Sequence, residues 1–122
     1  MRDFRKLKVW ERAHLLTLKV YSASAGFPPD ERFGLTAQIR RASVSIPSNL
    51  AEGCGRLGDA EMARFVRIST GSLREVEYQI LLAKDLGYLT ASLHEDVTED
   101  CQELARMLTK FLDRLRGGAC SG

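Results

Sequence analysis

The residues with the chemistry to act are concentrated between Phe33 and Gly58, in the run FGLTAQIRRASVSIPSNLAEGCGRLG. Paired arginines, Arg40 and Arg41, lead into a serine cluster, Pro47, and then Asn49 and Glu52 three residues apart. On a helix that spacing puts amide and carboxylate on one face, near enough to share a hydrogen-bond network. General acid–base work needs further titratable groups converging on them, and the candidates elsewhere are Glu75, Glu77 and His14. No nucleophile–base pair accompanies these residues. Asn49 and Glu52 are expected to satisfy the backbone around Pro47, or to pair with Arg40 or Arg41 across an interface, and the chain is expected not to be an enzyme.

A second chemistry is phosphate binding. Arg40, Arg41, Arg56, Arg64 and Arg67 make a candidate strip for a nucleic-acid backbone. Arg40 and Arg41 lie about 100° apart on a helix, so they cannot both face the core. One of them is free to pair with Glu52 or Glu75, and the other to project into solvent. Gly53, Gly55 and Gly58 bracket Arg56, but no Gly-Lys-Ser/Thr follows and no strand precedes, so neither a P-loop nor a dinucleotide fingerprint is present. A turn needing positive φ is the expected role of these glycines, with Gly53 as the residue that ends the helix.

Metal chemistry has little to stand on. Cys54, Cys101 and Cys120 are an odd number at wide spacing, without a CxxC pair, and His14 and His94 are isolated. Free thiols, no disulfide framework, no metal and no cofactor are expected. Cys101 falls on an apolar heptad position and reads as core.

These groups must be carried by a small framework. The chain has 122 residues, 44% of them hydrophobic and 7% aromatic. That is one domain with one shared core, leaning all-helical because no β-branched run alternates for long. No window approaches 18 consecutive apolar residues, and the opening MRDFRKLKVWERAH lacks a signal-peptide stretch, so a soluble cytoplasmic protein is expected.

Charge is segregated along the chain. Residues 1–12 carry five basic and two acidic groups, and residues 32–74 carry seven and three. Residues 75–103 reverse this with one and eight, and residues 104–116 return to four and one. Such blocks are either solvated helix faces or a polarised surface for a polyanion.

Four helical segments follow from periodicity. In the first, Val9, Ala13, Leu16, Val20 and Ala23 share a face, with Trp10, Thr17 and Tyr21 beside them. Phe27-Pro28-Pro29-Asp30 ends it. The second has Thr36 as a candidate N-cap and is expected to continue through Pro47 with a kink, Ser43, Ser45 and Ser48 satisfying the freed backbone. Two helices broken at Ile46 is the alternative. The third opens with Asp59 as N-cap and closes at Gly87. It carries a seam of Met62, Val66, Ser69, Leu73, Val76, Ile80 and Ala83, and a second stripe from Phe65 to Leu86. Gly71, with Ser69 and Ser72, leaves room for a close helix. In the fourth, Ser92 and Glu95 read as a capping box ahead of Val97, Cys101, Leu104, Leu108, Phe111 and Leu115. The fold class is an all-α, antiparallel up-down-up-down four-helix bundle with a proline-kinked second helix, spanning 1–116, with 117–122 as a flexible tail.

The runs LKVWERAHLL, QIRRASVSIPSNLAEG and RFVRISTGSLREVEYQ also carry a resemblance covering roughly residues 4 to 90. The chain resembles the four-helix-bundle proteins encoded in intervening sequences of bacterial 23S ribosomal RNA genes, sometimes called the S23 family. It is similar in turn to the accessory variability proteins of diversity-generating retroelements. The resemblance implies a bundle that assembles as a ring-shaped homopentamer. For the retroelement relatives it also implies a basic ring that binds nucleic acid and a reverse transcriptase.

Two functions of different class are expected from this reading. One is a homo-oligomer that binds RNA, or DNA, through non-specific arginine–phosphate contacts. The other is an interaction scaffold that recruits another protein, its charge serving solubility. No membrane partner is expected.

Overall fold

The apolar faces read from the sequence meet in one core. The computed structural model describes residues 2–117. It contains α1 (Lys8–Ser24), α2 (Leu35–Cys54), α3 (Asp59–Asp85) and α4 (Ala91–Leu115), with single 3-10 turns at Phe4–Lys6 and Pro29–Glu31. Short connections, the longest of them the α1–α2 segment that holds the Pro29–Glu31 turn, leave successive helices antiparallel. Val20, Ile39, Ile46, Val66, Leu73, Val76, Leu104 and Leu108 fill the interior, each at most 1% exposed. Residues 118–122, including Cys120 and most of the expected tail, lie outside the described residues.

Helix α2 runs unbroken through Pro47. Proline removes the amide that would bond the Ser43 carbonyl. That carbonyl instead accepts from Thr17 Oγ1 of α1 at 3.0 Å. The serines do not take this role: Ser43 Oγ donates to the Arg40 carbonyl, and Ser45 Oγ pairs with Ser72 Oγ at 2.9 Å. Ser69 Oγ adds a bond to the Ile46 carbonyl from α3. The polar residues around the proline thus stitch α2 to both neighbours.

Helix ends differ from the sequence reading in four places. Gly34, not Thr36, precedes α2, and the Leu35 amide donates to Glu31 Oε1. Gly58, at φ 88°, precedes α3, so Asp59 is its first residue rather than its cap. Thr90 Oγ1 caps α4 by accepting from the Leu93 amide, which places Ser92 and Glu95 inside the helix and removes the expected capping box. Gly53 does not end α2. It is buried within it, where an added Cβ would lie 2.7 Å from Met62 Sδ and 3.0 Å from Phe65 Cβ. A close approach of α3 is what requires glycine there.

Gly87 closes α3 as expected. At φ 81° its amide donates to the Lys84 carbonyl while the Tyr88 amide donates to the Ala83 carbonyl, the paired bonds of a Schellman motif. This turn aims Tyr88 at the opposite loop, where its ring meets Phe27 and its hydroxyl donates to Glu31 Oε2.

Candidate functional site

Along the α2–α3 seam the small polar residues build a groove of about 410 Å³. Ser45 and Ser72 line it with Ala42 and Gln38, one and two turns back along α2, and with Arg41 and Glu75. Neither Arg41 nor Glu75 has a hydrogen bond or ion pair among the described residues. Gln79, only 7% exposed, lines the same groove, and its buried Oε1 has no hydrogen-bond partner. Asn49 Nδ2 sits just beyond, donating to the Ser45 carbonyl at 2.8 Å and to Ser45 Oγ.

The five arginines of the expected strip take different roles. Arg40 turns toward α1, donating to Ser24 Oγ and to the Tyr21 carbonyl, with its guanidinium over the Tyr21 ring. The Tyr21 carbonyl, in the last turn of α1, accepts from the Ala25 amide as well. Arg56 pairs with Glu52 at 2.8 Å, and Arg64 with Glu61 at 3.3 Å. Both also face the Phe65 ring. Arg67 is exposed and without an ion pair. Asn49 and Glu52 share no network, since one serves Ser45 and the other Arg56. Gly71 is exposed, and among the described residues no other element comes within 4 Å of where its Cβ would be, so none of the four helices uses the room it leaves.

The antiparallel topology gathers separate basic stretches at one end of the bundle. The Arg2 amide donates to the Cys54 carbonyl and its guanidinium pairs with Asp59, bringing the N-terminus to the α2–α3 turn. Lys6, Leu7 and Lys8 lie across a cleft from Met107, Lys110 and Arg114 of α4. Residues 2–12, 52–67 and 103–116 together hold twelve Lys and Arg against seven Asp and Glu, a net +5. The rest of the chain holds six against nine, a net −3. Lys6, Lys8 and Lys110 were not among the strip residues. Their signal was already visible in the positive blocks 1–12 and 104–116, but only the fold puts those blocks side by side.

At the acidic end, Lys19 of α1 bridges Asp96, at 3.1 Å, and Asp100 of α4. The Asp100 hydrogen bond is the main cause that raises its pKa, burial opposing. The Leu35 amide and the Tyr88 hydroxyl hold Glu31 below the usual carboxylate value, and the same bond raises Tyr88. Burial pushes the Cys101 thiol up to about 12 and raises Cys54 as well. Among the described residues no three His, Cys, Asp or Glu side chains are placed to hold a metal, and no helix is long and apolar enough to cross a membrane.

Four amphipathic antiparallel helices around one core, with charge divided between the ends, define an all-α four-helix-bundle protein. The chain belongs to the 23S rRNA-intervening sequence protein family, which matches residues 5–110. Among solved structures it is similar to the crystal structure of a protein with unknown function from the S23 ribosomal protein family of Bacteroides thetaiotaomicron. The two are 20% identical with a TM-score of 0.79, over 86% of this chain and 95% of that one. At that identity the likeness speaks for the fold. No curated protein matches the chain.

Proposed function

We propose that this chain is a homo-oligomeric nucleic-acid-binding protein of the cytoplasm that holds RNA at the basic end of the bundle. The observation that carries the reading is the convergence of Lys6 and Lys8 with Lys110 and Arg114, two stretches far apart in sequence, on one cleft beside the α2–α3 turn. Unpaired cations on one surface bind a phosphate backbone by counterion release, with little preference among sequences. Assembly rests on separate support. Leu15 and Leu18 on α1 are 52% and 53% exposed, and Tyr78 on α3 is 62% exposed beside Leu81. Contiguous apolar surface of this kind marks interfaces, and a heterologous contact that closes gives a ring, for which the family resemblance implies five copies.

The reading is of a binding protein rather than an enzyme. Glu52 and Glu77 are spent on Arg56 and Arg74, and His14 stacks on Trp10 on the surface of α1. The same exposed apolar faces favour the second reading, a scaffold for another protein. Titrating labelled RNA and DNA at two salt concentrations separates the two. Salt-dependent binding is expected, and its absence at low salt defeats the nucleic-acid reading and leaves the scaffold. Arg64→Ala with Arg67→Ala should weaken RNA binding about equally for all sequences and flatten the salt slope by up to about two units with the oligomer intact.

A further inference from the structure

We infer that the cleft between the N-terminal segment and α4 seats the base of an unpaired nucleotide, so that the basic end prefers single-stranded RNA over a duplex. The inference rests on the nucleic-acid reading above and names the form of polymer that this site takes.

The cleft encloses about 340 Å³ and is lined on both sides. Its floor is apolar, made by Leu7, Val9, Met107 and Phe111. Its rim is cationic, with Lys6 and Lys8 on one wall and Lys110 and Arg114 on the other. No acid lines it. Lys6, Lys8 and Lys110 have no ion-pair partner among the described residues, and Arg114 lies over the Phe111 ring at 5.7 Å. Helix α1 also begins here at Lys8, with no side chain capping its first amides, so the positive end of a 17-residue helix opens beside the same rim.

This combination selects among anions. A duplex satisfies the rim through its phosphates but keeps its base faces stacked inside, leaving the apolar floor empty. A long-chain carboxylate brings one charge to four cations and needs a longer apolar trench than these four side chains make. A single strand carries a phosphate on either side of each base. One phosphate meets Lys6 and Lys8, the next meets Lys110 and Arg114, and the base between them covers Leu7 and Met107. The planar guanidinium of Arg114 offers a further stacking surface. Base contact of this sort tolerates any base, because every base has a π-face.

The test compares three fluorescein-labelled probes by anisotropy on the unmodified protein at two salt concentrations. They are a 12-nucleotide RNA, the same backbone with abasic positions, and a 12-base-pair duplex. The RNA should bind about tenfold tighter than the abasic strand, while both share one salt slope. Met107→Gln, which makes the floor polar and keeps every cation, should shrink that difference and leave the salt slope unchanged. Equal affinity for the RNA and the abasic strand, or a duplex that binds as tightly as the RNA, overturns the inference while salt-dependent binding still stands. Displacement of the RNA by laurate but not by uridine monophosphate also overturns it and assigns the cleft to an amphiphilic carboxylate. Absence of salt-dependent binding to all three probes defeats the underlying nucleic-acid reading. The abasic comparison needs no variant, so a Met107→Gln chain that does not fold leaves the test intact.

Discussion

Thr17 on α1 donates its hydroxyl to the carbonyl of Ser43 on α2, the group that Pro47 leaves without a helical donor. The same hydroxyl also donates toward the Ala13 carbonyl at 3.0 Å, so it sits shared between its own helix and its neighbour. A proline that costs on the order of 3 kcal/mol in an isolated helix is thereby accommodated by tertiary structure.

Replacing Thr17 with Val keeps its shape and leaves a buried carbonyl without a donor, so the change should cost about 1–3 kcal/mol. Pro47→Ala restores the missing amide, and in that background Thr17→Val should cost about 1 kcal/mol less. Urea melts of the four chains of this cycle check it. Equal costs in both backgrounds would show that the hydroxyl does not serve the proline.

Gly53→Ala should destabilise the bundle by about 1–3 kcal/mol, because Phe65 Cβ and Met62 Sδ leave no room for the methyl group. Gly55→Ala serves as the control, since its Cβ meets only the Glu52 carbonyl at 3.5 Å, an ordinary contact. A shift in denaturation midpoint of the same size for both would refute the packing account.

The Glu31–Tyr88 bond ties the α1–α2 loop to the α3–α4 turn and should give stability a pH window. Glu31 is depressed in the fold, so its contribution is complete above the ordinary value of 4.5 and is lost as pH falls through the folded value. Tyr88 is raised, so its contribution is complete below the ordinary value of 10.0 and is lost as pH rises through the folded value. Glu31→Gln should flatten both edges in thermal melts taken across pH. Retention of the acid edge in that variant would place its origin in other carboxylates.

Cys54 and Cys101 are 1% and 0% exposed, and burial holds both as neutral thiols. In a Cys120→Ser chain, neither should react with a thiol reagent at pH 8 on the timescale of minutes, and both should react at once in denaturant. Rapid native labelling of either would mean that the α1–α2 or α3–α4 packing opens far more often than its burial allows.

Tyr78→Glu with Leu81→Glu, both on the outer face of α3, should convert the oligomer to a monomer in light scattering while the circular dichroism stays helical. Leu15→Glu with Leu18→Glu should do the same from α1. Gly71→Ala should stabilise an isolated bundle by about 0.5–1 kcal/mol, since nothing in the chain crowds it. A monomeric wild-type chain at micromolar concentration would defeat the assembly proposal.

Much of the fold was legible because amphipathic periodicity is a local property. A residue such as Leu73 or Leu108 declares its inward face by its spacing to neighbours on the same helix, and each was found in the core. Gly87 was legible for the same reason, since a left-handed residue after a helix is a local demand that glycine meets.

What the sequence could not declare depends on partners distant in the chain. Gly53 looks like a helix terminator until α3 is laid against it, and then it is a close contact with Met62 and Phe65. The basic cleft is the clearest case. Lys8 and Lys110 are about a hundred residues apart, and only the antiparallel return of α4 along α1 makes them one surface. Hydrophobic burial that is periodic along a chain is written in the chain, whereas electrostatic neighbourhood is written in the packing.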